Sequence, residues 1–120
     1  LDAATAAAQI APEHWEARYV EGVILMASGR PEAALRALEA ARRANPLFAD
    51  TYNMIGNSLM LLERPGPAVD AYLAATELET DNPGYYDNLA AACAAAGRPD
   101  LEAEARVTAE RLRQMPSTER

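Results

Sequence analysis

The dipeptide Arg-Pro recurs at Arg30-Pro31, Arg64-Pro65 and Arg98-Pro99, each copy 34 residues after the last. A fixed step of this size means that one small structural unit is repeated and stacked on itself. Other slots keep the same step: Gly22, Gly56 and Ala90; Leu25, Leu59 and Cys93; Ala41, Ala75 and Ala109; Pro12 and Pro46. Gly29 and Gly97 stand before two of the Arg-Pro pairs, and Glu63 before the third. Pro suits the first turn of a helix, where its missing N–H leaves no bond unmade. Gly just ahead of it lets the preceding helix end in a left-handed conformation. Gly-Arg-Pro therefore reads as a tight turn joining two helices, and Pro12, Pro46 and Pro83 mark the other joints.

Composition agrees. Alanine, the best helix former, supplies nearly a quarter of the 120 residues, while Val and Ile are scarce, which disfavours sheets. The expectation is an all-α chain with helices near 2–10, 13–28, 31–44, 47–62, 65–78, 83–96 and 99–114. Gly22 and Gly56 fall mid-helix, where Gly costs about 1 kcal/mol relative to Ala. A neighbouring helix crossing closely there would offset that cost. Ala34 and Ala68 are expected to provide the matching small surface, with Leu25, Leu38, Ile55, Leu59, Tyr72 and Leu89 filling the space around it.

The net charge is -7, and all of the positive charge is arginine. An acidic chain without clustered cations argues against nucleic-acid binding. Apolar runs are too short for a transmembrane helix, so membrane insertion is not expected. The start of the chain shows no secretory signal. A cytoplasmic setting is favoured, with a periplasmic one open if an upstream signal was removed.

Chemistry is scarce. His14 is the single histidine, beside Trp15, and reads as a surface or helix-capping residue. Neither a His-Cys cluster nor a phosphate-binding Gly-rich loop occurs, so no metal, cofactor or catalytic residue is expected and the chain is not read as an enzyme. Cys93 is the single cysteine, in a core slot with no neighbouring cation expected, and reads as a structural thiol.

These residues resemble the tetratricopeptide repeat, a 34-residue unit with large residues and Gly on its first helix and Ala, an aromatic, Ala and Pro on its second. The second copy is most similar: Tyr52, Ile55, Gly56, Leu59, Ala68, Tyr72 and Ala75, with Thr80 in the Pro slot. The first copy carries Gly22, Leu25, Ala34, Leu38, Ala41 and Pro46 but departs at Arg18 and Glu21, a gap that Trp15 is placed to cover. The third carries Tyr86, Leu89, Ala90 and Cys93 and departs at Glu102 and Arg106. Its last helix has one stripe of Leu101, Ala105, Ala109 and Leu112 and is otherwise charged, as an end cap requires.

The resemblance implies an α-solenoid of antiparallel helix hairpins, a superhelix. Residues 1–11 would be the second helix of a preceding partial repeat, 12–46, 47–82 and 83–114 three repeats, the last with its capping helix, and 115–120 a tail. It also implies a protein- or peptide-binding scaffold or adaptor, in settings such as bacterial complex assembly or secretion. The alternative is a substrate-presenting accessory domain of a larger enzyme such as a transferase. In the family the first helices line a concave groove. Carried over, the binding residues are Tyr19, Val23 and Met26, then Asn53, Asn57 and Met60, then Asp87, Asn88 and Ala91, with Glu16, Asp50 and Ala94 on the same surface.

Asn53 and Asn57 lie one turn apart, and each amide can donate and accept, which suits a peptide backbone; the other reading is that they are merely solvated. Met26 and Met60 read as adaptable apolar contacts or as packing between hairpins. Glu13, Glu16, Glu21, Asp50 and Asp87 face Arg18 alone on the first helices, so the expected partner is a neutral or basic protein segment. Some family members clamp a carboxylate with Lys or Arg; the matching positions here are Tyr19, Val23, Asn57, Gly84 and Asn88, which excludes that clamp. Self-association through stacked open ends is the remaining possibility.

Overall fold

A computed structural model describes residues 14–116. Within them lie six helices and no strand: α1 (Trp15–Ala27), α2 (Pro31–Ala44), α3 (Ala49–Leu61), α4 (Pro65–Leu78), α5 (Pro83–Ala95) and α6 (Pro99–Gln114). The helix expected at 2–10 and the unit expected at 1–11 fall outside the described residues. Consecutive helices pack as hairpins, α1 with α2, α3 with α4 and α5 with α6; α2 then packs on α3, and α4 on α5. The chain is an α-solenoid.

The three Arg-Pro turns are one structure repeated. Gly29 N–H donates to the Met26 carbonyl at 3.0 Å and Arg30 N–H to the Leu25 carbonyl at 2.9 Å. Glu63 and Arg64 repeat the pair on Met60 and Leu59, and Gly97 and Arg98 repeat it on Ala94 and Cys93. This reciprocal pattern ends a helix by satisfying its last carbonyls, and it needs a left-handed residue at the turn. Gly29 and Gly97 take φ of 73° and 72°, and Glu63 takes 58°. Pro31, Pro65 and Pro99 then open the next helix.

The other joints use side chains. Asn45 Oδ1 accepts from Leu47 N–H at 3.1 Å, and Asn82 Oδ1 from Gly84 N–H at 3.0 Å. Phe48 stays extended ahead of α3, which is why that helix starts at Ala49 and not near 47. Tyr52 donates to the Pro46 carbonyl at 2.9 Å, and Tyr86, one repeat on, to the Thr80 carbonyl at 3.1 Å. The Pro slot is thus read through its carbonyl oxygen, which Thr80 also supplies.

Two of the hairpins close on a glycine. A Cβ on Gly22 would sit 2.5 Å from Leu38 Cγ, and one on Gly56 2.5 Å from Tyr72 Cε1. The groups seated nearest the glycines are large side chains of the partner helix; the Ala34 carbonyl also lies 3.4 Å from a Cβ at Gly22, and Ala34 and Ala68 are themselves fully buried. The third hairpin has Ala90, fully buried, in the glycine slot, and Arg106 in the slot of Leu38 and Tyr72. Arg106 is exposed and pairs with Glu102 at 2.8 Å. On α6, Ala105 and Ala109 are buried and Leu101 and Leu112 half-buried, leaving a charged outer face.

Two expectations follow. Glu63→Gly should stabilise the fold by about 1 kcal/mol by removing a left-handed non-glycine residue, and Gly29→Ala or Gly97→Ala should cost about as much, read from urea unfolding midpoints. Burial pushes Tyr72 from 10.0 up to about 12. A raised acid keeps its neutral form by folding, so its contribution is complete below pH 10 and disappears as pH rises through 12. The helical circular dichroism signal should hold to pH 10 and decline toward pH 12, and Tyr72→Phe should flatten that decline.

Candidate functional site

The first helices α1, α3 and α5 lie side by side, each touching the next, and form one wall of the solenoid. This sets Gly22, Gly56 and Ala90 on neighbouring helices. Along the wall Tyr19, Val23, Met26, Asn57, Met60, Asp87 and Asn88 are half-buried, Ala91 is exposed and Asn53 is buried, with 8% of its surface accessible.

Hydrogen bonds tie the helices of the wall to one another. Asp50, in the first turn of α3, accepts from the Tyr19 phenol of α1 and, at 3.0 Å on Oδ1, from the Tyr85 phenol of α5. One carboxylate thus joins all three helices. Burial, with the Asp50 carboxylate adding to it, holds both phenols well above the usual tyrosine range, so both remain donors. Asn88 Nδ2 donates to Asn53 Oδ1 at 2.9 Å, linking α5 to α3. Ser58 Oγ lies 2.9 Å from Met26 Sδ and 3.0 Å from the Met54 carbonyl, linking α3 to α1. Tyr72 reaches forward from the outer helix α4 and donates to Asn57 Oδ1 at 2.6 Å.

These bonds decide what the wall can offer. The Asn53 carbonyl is taken and its side chain is covered. Asn57 has given up its acceptor to Tyr72, and its amide rests on Met54 Sδ at 3.6 Å, a weak acceptor. Asn57 is therefore left as a donor for an incoming carbonyl. Met26 and Met60 both face the wall and pack against the core.

The charge of the wall is lower than the sequence alone suggests. Arg113 crosses from α6 to pair with Asp87, and Arg18 pairs with Glu21 at 3.2 Å. Glu13 lies outside the described residues. Glu16 and Asp50 remain without a cationic partner among the described residues, both at the N-terminal end of the wall. Beside them Trp15, Tyr19 and Phe48 form an aromatic cluster, with Trp15 and Phe48 centroids 4.6 Å apart and Tyr19 and Phe48 5.3 Å apart. Trp15 packs in this cluster, while Arg18 and Glu21 border a groove of about 450 Å³ between α1 and α2. The opposite end of the wall is apolar, with Met60 beside Leu61, which is 59% exposed.

The repeat pattern does not single out Tyr85, because its slot holds Ala17 and Thr51 in the other copies. Nor does it single out Leu61, whose exposure at a helix end has no sequence mark. Cys93 does have a cationic neighbour, Arg98, which opposes the rise in its pKa, yet burial prevails and pushes the thiol up. His14 stands at the N-cap position of α1. Among the described residues, no group of metal-ligating side chains gathers and no helix is long and apolar enough to cross a membrane.

Comparison with known proteins places this architecture. The tetratricopeptide repeat profile matches residues 1–46 and 19–86. No curated protein sequence matches the chain. Among solved structures, the chain is similar to MamA at 22% identity and a TM-score of 0.79, over 83% of this chain and 58% of that one. The chain thus spans less than two thirds of MamA. It is similar to the Yersinia enterocolitica type III secretion chaperone SycD, solved with a peptide of the translocator YopD, at 14% identity and a TM-score of 0.81, covering 88% of this chain and 81% of that one. PcrH, solved with the chaperone-binding region of PopD, gives 18% identity and a TM-score of 0.80, covering 89% and 81%. At such identities the likeness is one of fold. The repeat profile covers most of the sequence, and the chain belongs to the tetratricopeptide repeat family.

Proposed function

We propose that this chain is a protein-binding module that holds a neutral or basic segment of another protein against the wall formed by α1, α3 and α5. The observation that carries this reading is the preset state of the wall: its polar side chains are already held by Tyr19, Tyr72, Tyr85 and Asn88, so little ordering entropy remains to be lost on binding. In this reading Tyr19, Val23, Met26, Asn57, Met60, Asp87, Asn88 and Ala91 line the contact, and Asn53 acts through Asn88 as a support. SycD and PcrH, similar in fold, are solved with peptides of other proteins, which supports a role of this kind in assembly or secretion.

The test is a titration of the isotope-labelled chain with basic and acidic peptides at low and high salt. Basic peptides should bind more tightly, lose affinity as salt rises and shift amide signals along α1, α3 and α5. Asn57→Ala should weaken binding by about 5-fold, the loss of one hydrogen bond of about 1 kcal/mol, with helical content unchanged. Tighter binding of the acidic peptides would overturn the proposal.

A further inference from the structure

The wall is divided along its length. Its N-terminal end presents the Asp50 carboxylate and the Trp15, Tyr19 and Phe48 rings, all half-buried. Its C-terminal end presents Met60 and the exposed Leu61. Asp50 differs from the other wall carboxylate of the later helices: Asp87 is paired with Arg113, whereas Asp50 meets two neutral phenols and no cation among the described residues. Each phenol occupies one oxygen of Asp50, and a carboxylate has about four acceptor sites. Both oxygens thus keep acceptor capacity while the phenols fix their orientation.

A fixed carboxylate beside an aromatic cluster matches a guanidinium, which is planar, donates in a fork to a carboxylate and stacks on aromatic faces. An ammonium group meets only part of that arrangement. The separation of the two ends sets a second condition. Asp50 and Met60 are on one helix, and at 1.5 Å per residue they stand about 15 Å apart. An extended chain rises about 3.3 Å per residue, so about 4 or 5 residues span that distance.

We propose that Asp50, bracketed by Tyr19 and Tyr85, receives an arginine of the bound segment while Met60 and Leu61 receive an apolar side chain spaced from it by the length of α3. This deepens the function proposed above and rests on it. It identifies Asp50 as the specificity-determining residue and makes spacing, not basic character alone, the selected property.

The probes are synthetic Gly-Ser peptides carrying one Arg and one Leu, either about 4 residues apart or adjacent, and the spaced peptide with Gln in place of Arg. Binding to the full chain is followed by amide shifts and by the fluorescence of Trp15, its single tryptophan. The spaced Arg peptide should shift Tyr19, Asp50, Met60 and Leu61 together and bind about tenfold more tightly than the Gln or adjacent peptide. Asp50→Asn should abolish the preference for Arg, and Leu61→Ser, at an exposed position, the preference for spacing. Equal binding of the Arg and Gln peptides to the wall would overturn the inference and leave the binding module standing. An Arg preference that survives in Asp50→Asn would do the same. Shifts confined to surfaces other than the wall would overturn both readings. The Arg and Gln comparison uses the unaltered chain and so decides the matter even if Asp50→Asn fails to fold.

Discussion

The structure depends on a large side chain settling where a Cβ is missing. Leu38 occupies the space above Gly22, and Tyr72 the space above Gly56, at distances that would force either side chain to shift if the glycine slot carried a Cβ. Each contact locks the register of one hairpin. The register of the hairpins then fixes which faces of α1, α3 and α5 turn toward one another. Mid-helix glycine is locally unfavourable, and the close crossing it allows more than offsets that cost.

The same contact reaches the wall of first helices. Tyr72 places its ring on Gly56 and its hydroxyl on Asn57, so one side chain both closes a hairpin and orients a residue of the wall. Asp50 plays the complementary part between repeats, since its two phenol bonds join α1, α3 and α5. The wall is consequently rigid where it is polar, because its polar atoms also serve the fold. Under the proposed function, such a surface selects partners by fit more than by reshaping itself.

Much of the fold was legible in the sequence because it is written in backbone terms. Gly29 and Gly97 mark left-handed turns, Pro31, Pro65 and Pro99 mark helix starts, and a 34-residue step repeats them. The wall was legible as a set of positions but not as a set of chemical states. That Asn53 and Asn57 share a face follows from helical spacing. That their carbonyl oxygens are already taken depends on Asn88 and Tyr72, which are distant in sequence. Trp15 illustrates the same limit: its position was clear, but its partner, Phe48, was not, because that residue lies in an extended joint ahead of α3. Glu63 is the converse: it takes the left-handed turn of Gly29 and Gly97 from its place in the repeat, although its own residue type argues against it.

The pairing of slots on facing helices has a consequence for how the units tolerate change. Two hairpins combine glycine with a bulky inward group, whereas the third combines Ala90 with an outward Arg106. The two positions therefore vary as a pair: a bulky side chain in one calls for a missing Cβ in the other, and an outward side chain releases that demand.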